Sequence, residues 1–329
     1  MDFVVTGCAG FIGARVSAML IERGDRVAGA DNLNDSYDPA LKERRLKTLS
    51  SSEGFSFKKT DISEPRQMES FFDGLSDSFS PQAVINLAAR AGVRKSAEIP
   101  SEYYKTNVLG TLNLLEICRS RGIKKFVFAS SSSVYGDGDL PLSEDSSQIG
   151  RPLSPYAASK SAGETLCHSY HKLSEIDVSV LRYFTVYGPA GRPDMSVFRF
   201  IRAIAEGEEI AVYGDGSQSR DFTFVDDVAK ATLLSLKDVG FEAVNIAGGS
   251  SVAVSRIIAI IEDALGKKAI VKHAPAHPAD SYATEADISK AEAVLGWRPG
   301  VDIEKGIKSC IEWYVDNREW AGRLEMPEL

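Results

Sequence analysis

Short β-branched runs alternate with helical stretches through the first half of the chain, and this rhythm constrains the fold more than any other feature. The runs are "FVV" (3–5), "RVAGAD" (26–31), "FSFKKTD" (55–61), "AVINLA" (83–88), "KFVFASS" (125–131) and "DVSVLRYF" (177–184). Helical patterns fill about 11–23, 39–49, 64–77, 101–121 and 156–175 between them. Repeated strand–helix–strand units require right-handed crossovers, which build a parallel sheet covered on both faces. The expected class is α/β, a doubly wound parallel sheet.

After Tyr187 the rhythm breaks. "GPAGRPDM" and "VYGDGSQSRDF" read as loop-rich, with a helix between them. Helix returns at 225–236 and 255–265, around a strand-like "AVNIAGG", and the tail ends in an amphipathic helix through Ile307, Ile311 and Tyr314. With no repeat or separable linker, these pieces are expected to form a smaller C-terminal lobe on the sheet. At 329 residues the chain is long for one compact unit.

The net charge of -8 excludes a general basic footprint for nucleic acid or an anionic membrane. An anionic small ligand would need arginines gathered locally. Cys8, Cys118, Cys167 and Cys310 are widely spaced with no C-x-x-C pair, against zinc or a disulfide framework and in favour of a reducing compartment. No apolar run reaches the roughly 18 residues of a membrane span. The first strand begins at Asp2, so no leader is expected and the cytoplasm is the default location.

"TGCAGFIG" places Gly7, Gly10 and Gly13 directly after the first strand and at the mouth of the first helix. Glycines there let backbone approach a pyrophosphate seated on the positive helix N-terminus. Taken alone, such a loop is an ordinary tight turn, but here an acid, Asp31, ends the second strand 18 residues beyond Gly13. A carboxylate at that place accepts ribose hydroxyls and repels a 2′-phosphate, so the expected cofactor is NAD on a Rossmann-type sheet. Asp61, ending the third run, reads either as a neighbour of the adenine or as a cap for the following helix.

"SPYAASK" sets Tyr156 and Lys160 four residues apart, on one helix face. A phenol titrates near pH 10, and a nearby ammonium together with a positive nicotinamide ring is expected to bring it towards neutrality. Ser131 lies 25 residues upstream of Tyr156. A Y-x-x-x-K pair by itself is usually a solvated surface pair; its weight comes from the company of the glycine loop and the serine.

With these residues in view the chain resembles the extended short-chain dehydrogenase/reductases, specifically the NAD-dependent nucleotide-sugar epimerases and dehydratases. The likeness runs through "TGCAGFIG", "NLAARAGV", "SSSSVYG", "SPYAASK", "LRYFTVYGP", "RDFTFVDDVA" and "LGWRP", essentially the full length. It implies Ser131, Tyr156 and Lys160 as the catalytic set, and a tightly held NAD that is reduced and reoxidised within each turnover. Candidate cofactor contacts are Gly7, Gly10, Phe11, Ile12, Gly13, Asp31, Asn32, Asp61, Ile62, Leu87, Ala88, Ala89, Tyr156, Lys160 and Tyr183. Residues 1–186 with 225–265 are assigned to the NAD-binding domain, and 187–224 with 266–329 to a nucleotide-sugar-binding lobe. Two segments, "DNLNDSYDPALKERRL" (31–46) and "FTVYGPAGRPDM" (184–195), most resemble UDP-glucuronate 4-epimerases.

The four serines at 130–133 separate subclasses of this resemblance. A 4,6-dehydratase or a decarboxylase carries a carboxylate just before the Val-Tyr-Gly, where this chain has Ser133. Without that acid an epimerase remains. The 4-keto form of UDP-glucuronate is a β-keto acid that loses carbon dioxide when its carboxylate bond aligns with the ketone. Ser132 and Ser133 are expected to hold the carboxylate out of that alignment, with Ser131 near the carbon-4 oxygen; small residues at a crowded strand end are the competing explanation. Thr185 replaces the Asn of UDP-glucose 4-epimerases after "RYF". Arg94 and Arg192 are candidates for carboxylate or diphosphate, and Arg220 matches the family's diphosphate arginine. The tail reads "AHPAD", with His277, where the family often has another arginine.

The helices at 101–121 and 156–175 correspond to those that pair two subunits in this family, and Tyr104, Val108, Leu112 and Leu115 follow one another at helical spacing, a seam for the core or for a partner helix. A homodimer is expected. A UDP-glucose 4-epimerase and a catalytically idle NAD-binding regulator remain the alternative functions.

Overall fold

A computed structural model describes residues 1–146, 149, 151–275 and 281–326. Its centre is a seven-stranded sheet built from β1 (Asp2–Thr6), β2 (Arg26–Asp31), β3 (Phe55–Lys59), β4 (Pro81–Asn86), β5 (Lys125–Ser131), β6 (Asp177–Tyr183) and β10 (Phe241–Ile246). The order is β3-β2-β1-β4-β5-β6-β10, and every neighbouring pair is parallel. Strand order reverses between β1 and β4, which opens a crevice at the carboxyl ends of the strands. Every residue of β1 and β5 is buried. That two-sided burial explains why these runs read as nearly continuous apolar stretches.

Helices cover both faces: α1 (Phe11–Glu22), α2 (Pro39–Leu49), α3 (Pro65–Asp73), the short α4 (Val93–Glu98) and α5 (Pro100–Tyr104), α6 (Gly110–Arg121) and α7 (Pro155–Ser174). The expected doubly wound fold is therefore present. The stretch read as one helix over 101–121 is interrupted, because Lys105–Leu109 form a π-helical turn between α5 and α6. Such turns widen the backbone spiral and redirect side chains.

The second half differs more from the sequence reading. Five further strands are present, β7 (Thr185–Tyr187), β8 (Glu209–Tyr213), β9 (Ser219–Phe224), β11 (Ser251–Ala253) and β12 (Ile270–Ala274), and the stretch read as loop-rich over 212–222 holds the end of β8 and most of β9. They form a β11-β9-β7 sheet and a β12-β8 pair. Each is short and pairs with a distant partner, so no local periodicity announces it. The remaining helices are α8 (Ser196–Glu206), α9 (Val225–Leu234), α10 (Val254–Leu265), α11 (Ser289–Leu295) and α12 (Ile303–Ala321), the last burying Ile307, Ile311 and Tyr314.

Apolar packing draws the domain boundaries differently from the expected 225–265 and 266–329. Helix α10, through Ile257, Ile258, Ile260 and Ile261, joins the lobe core with α8 and α12. Ala291 and Leu295 of α11, with Trp297, instead pack on the main sheet beside α1 and α9. The apolar face of α10 finds its cover on α8, not on the sheet. Among the described residues no helix is long and apolar enough to cross a membrane.

Candidate functional site

A cavity of about 420 Å³ lies along the crevice, within the range of small-molecule sites. One wall is the glycine loop. Gly7 has φ +69°, and a Cβ there would sit 2.6 Å from the Ala88 nitrogen. A Cβ on Gly13 would stand 2.1 Å from the Gly7 oxygen, so α1 packs on the loop only without side chains. Helix α1 has no side-chain cap at its N-terminus, which leaves its first N–H groups aimed at the cavity rim.

Asp31 is buried. Its Oδ2 accepts from the Ala9 nitrogen at 3.2 Å and its Oδ1 from Leu33 at 2.8 Å. Asp61 does not cap α3, which has no side-chain cap: its Oδ1 accepts from the Ser63 nitrogen in the turn before the helix at 2.9 Å and its Oδ2 from Asn32 Nδ2 at 2.9 Å, and the residue lines the cavity. Phe11, Ile12, Asn32, Ile62, Leu87, Ala88, Ala89 and Tyr183 also line the cavity. Cradle, uncapped helix end and carboxylate at the tip of β2 together fit a dinucleotide with free ribose hydroxyls.

The opposite end carries Ser131, Tyr156 and Lys160. Ser154 caps α7 by accepting from the Ala157 nitrogen at 3.2 Å, and Pro155 occupies the first turn. That start fixes Tyr156 and Lys160 one turn apart, facing the end of β5. Lys160 is buried and its Nζ donates to the Ala129 oxygen at 2.8 Å. Burial lowers its pKa to about 8. Burial also raises the Tyr156 phenol, opposed by hydrogen bonding with Ser131 and then by the charge of Arg192. The Lys160 ammonium is turned to the strand backbone, and the cation that opposes the rise of the Tyr156 phenol is Arg192.

The four serines divide. Ser130 donates to Glu164, which is paired in the interior with Arg182, so its hydroxyl serves the fold. Ser131 Oγ donates to Ser133 Oγ at 3.2 Å and accepts from the Ser133 nitrogen at 3.2 Å. Ser132 and Ser133 are half-buried on the cavity wall. Thr185, Arg192 and Arg220 also line it. Arg192 Nε donates to Asp194 at 3.0 Å, and Arg220 Nη1 donates to the Tyr282 oxygen at 3.0 Å. Arg94 is not brought to this cavity; its guanidinium stacks 3.9 Å over the Tyr213 ring. His277 lies outside the described residues.

Several residues at the site escaped the sequence reading. Asn34, Ser36, Tyr37, Lys42, Asp194, Ser281 and Thr284 line the cavity. Asn107, in the π turn, donates to Ser159 Oγ at 2.9 Å and holds the Arg90 backbone through both N–H (2.8 Å) and C=O (3.0 Å). A buried asparagine inside an apolar helix was the available signal for it.

The family model described as "NAD dependent epimerase/dehydratase family" matches residues 3–247. The chain belongs to this family. It is 49% identical over 318 residues to a UDP-glucuronate 4-epimerase of Thermodesulfobacterium geofontis, covering 96% of this chain and 97% of the relative. Among solved structures, UDP-glucuronic acid 4-epimerase from Bacillus cereus in complex with UDP-glucuronic acid and NAD superposes with a TM-score of 0.88. The identity is 34%, with 96% and 100% of the two chains covered. A UDP-glucose 4-epimerase of Thermotoga maritima superposes equally well, TM-score 0.88 at 32% identity, over 97% of this family member and 100% of that chain.

Proposed function

We propose that this protein interconverts UDP-glucuronate and UDP-galacturonate by NAD-dependent epimerisation at carbon 4. The carrying observation is the cavity wall next to Tyr156: hydroxyls from Ser131, Ser132, Ser133 and Thr185, together with Arg192 (itself paired with Asp194), and a serine, Ser133, in the place where a dehydratase or decarboxylase needs a carboxylate. The wall suits a substrate that brings its own negative charge. The 49% identical relative bears the name of this activity.

NAD, when bound, supplies the hydride acceptor and afterwards the hydride donor. Gly7, Gly10 and Gly13 with the start of α1 hold its diphosphate, and Asp31 its adenine ribose. Tyr156 takes the proton of the carbon-4 hydroxyl as the carbon-4 hydride leaves, giving a 4-keto sugar. It returns that proton to the oxygen once the sugar has presented its other face. Lys160, with its pKa near 8, remains largely cationic at neutral pH. Ser131 holds the carbon-4 oxygen, Ser132, Ser133 and Thr185 hold the carboxylate with Arg192, and Arg220 takes the diphosphate. Arg220 on β9 and the loop of Arg192 bring the lobe whose core is α8, α10 and α12 to the nucleotide-sugar end of the cleft.

Incubation with UDP-glucuronate and separation of the products tests this reading. UDP-galacturonate without a UDP-pentose is the expected product, with UDP-glucose barely used. The Ser132→Ala/Ser133→Ala variant should turn over more slowly and release a UDP-pentose. Preferential conversion of UDP-glucose by the unmodified protein would overturn the assignment, and clean, unimpaired epimerisation by the double variant would leave the serines as mere packing.

The assembly we propose is a homodimer through α5–α6 and α7. Its support is the apolar surface left open there, with Tyr104 42%, Leu109 51% and Leu173 84% exposed. Light scattering at micromolar concentration should give twice the chain mass. The four cysteines are free and buried, which supports a reducing, cytoplasmic setting.

A further inference from the structure

Arg45 on α2 is buried, at 8% exposure, yet among the described residues it forms no ion pair. Its guanidinium instead donates to three neutral oxygens: the Ala9 carbonyl at 3.1 Å, the Tyr37 hydroxyl at 2.7 Å and the Ala190 carbonyl at 2.6 Å. Its Nε is buried without a partner. A desolvated cation with incomplete hydrogen bonding is unfavourable for stability alone. What it achieves is a connection. Ala9 belongs to the glycine loop, whereas Ala190, 145 residues beyond Arg45, belongs to the loop that carries Arg192.

Tyr37 stands at the centre of this connection. Arg45 lies 5.7 Å from its ring centroid and Arg192 5.9 Å, so two guanidinium groups share one aromatic ring. Tyr37 and Arg192 line the cavity, and Arg45 does not. Ala190 adopts φ 55°, a left-handed conformation that a non-glycine residue keeps only when its surroundings hold it. The hydrogen bond from Arg45 to its carbonyl is such a hold.

We propose that Arg45 is a positioning residue, tying the cofactor's glycine loop to the Arg192 loop through Tyr37 and so placing Arg192 for an acidic sugar. This rests on the reading of Arg192 as a carboxylate ligand. Two consequences follow from the connectivity. Ordering of the glycine loop by a bound dinucleotide is transmitted to the sugar end by one side chain. Losing Arg45 damages recognition of the carboxylated sugar more than the chemistry at Tyr156, which hangs on β5 and α7 instead.

The test uses the full-length protein with Arg45→Met, which keeps length and removes the donors, and with the milder Arg45→Lys and Tyr37→Phe. Backbone hydrogen exchange across residues 188–195 should rise about tenfold in Arg45→Met, the scale expected for one lost hydrogen bond to a charged group, while β5 and α7 keep their protection. KM for UDP-glucuronate should rise about tenfold with kcat changed much less, and Arg45→Lys should recover part of the loss. Combined with Arg192→Met, the Arg45 substitution should add little, since both act through one group. Unchanged exchange at 188–195 overturns the tie, as does a uniform loss of protection over the whole fold in all three variants. Failure of the unmodified protein to act on UDP-glucuronate would instead sink the substrate reading, and the exchange measurement would still decide on Arg45.

Discussion

The two walls of the cleft are built in different ways. On one side Gly7, Gly13, Asp31, Ser131, Tyr156 and Lys160 sit at strand ends or helix starts of one parallel sheet, each within a short recognisable segment. On the other, Thr185, Arg192, Arg220 and Thr284 sit on short strands and loops that long-range hydrogen bonds hold in place. Asp221 is an example. Its buried carboxylate accepts from the nitrogens of Gly248 (2.6 Å), Gly249 (3.2 Å) and Ala286 (3.2 Å), gathering two distant segments beside Arg220. The first wall inherits its precision from cooperative secondary structure. The second depends on single side chains.

The largest expected effect falls on the first wall. Tyr156→Phe keeps the ring and removes the proton acceptor, so kcat should fall by ~10²–10⁴-fold with substrate affinity nearly unchanged. A Phe variant that turned over at close to the unmodified rate would remove the chemistry from this wall altogether.

Next comes the cradle. Gly13→Ala forces a Cβ against the Gly7 oxygen at 2.1 Å, and overpacking of this kind is worth about 1–3 kcal/mol. Its effect should be local to the cofactor: the purified variant should lack the absorbance of bound dinucleotide yet keep the far-UV spectrum of the fold. Normal cofactor content would show that the loop relaxes more easily than a sheet-anchored wall should.

A smaller, pH-dependent effect belongs to the second wall. Burial pushes the Asp221 carboxyl up to about 7, opposed by the backbone N–H groups of Ala286, Gly248 and Gly249. The unfolded carboxyl titrates near 3.8, so between these values the folded chain binds the extra proton. The contribution of this group to stability is greatest below the unfolded value and is lost as pH rises through about 7. Its slope is at most about 1.4 kcal/mol per pH unit. Asp221→Asn does not titrate, so urea unfolding should show the stability difference, unmodified minus variant, shrinking between pH 5 and 8. A constant difference would mean that Asp221 is charged throughout and already compensated.

The contrast between the walls is also a contrast in legibility. β2 and β5 have the bounds read from the sequence, 26–31 and 125–131, because side chains buried on both faces leave a continuous apolar signature. Asp31 and the Tyr156–Lys160 pair were legible for a related reason: each lies at a set distance from an element boundary. The Lys160 contact with the Ala129 carbonyl was not legible, since it depends on the depth at which α7 packs on β5. Ser130 and Ser131 are adjacent, alike in sequence and both on the cavity lining, yet the Ser130 hydroxyl donates to Glu164 and the Ser131 hydroxyl to Ser133.

Local residue patterns by themselves determined the parallel sheet, the dinucleotide cradle and the candidate base, because the information for each lies within one strand, turn or helix. Only the tertiary structure decided which core α10 joins, which arginines reach the cavity and what holds Arg192 in place. Arg94 and Arg192 are equally plausible on the page of the sequence, but one stacks on Tyr213 and the other faces Tyr156's end of the cleft. The physical reason is that a side chain's partners there lie tens to hundreds of residues away: Arg45 meets Ala190 across 145 positions, and Asp221 meets Ala286 across 65. Loop closure of that kind follows from the packing of the whole chain and leaves no local period to read.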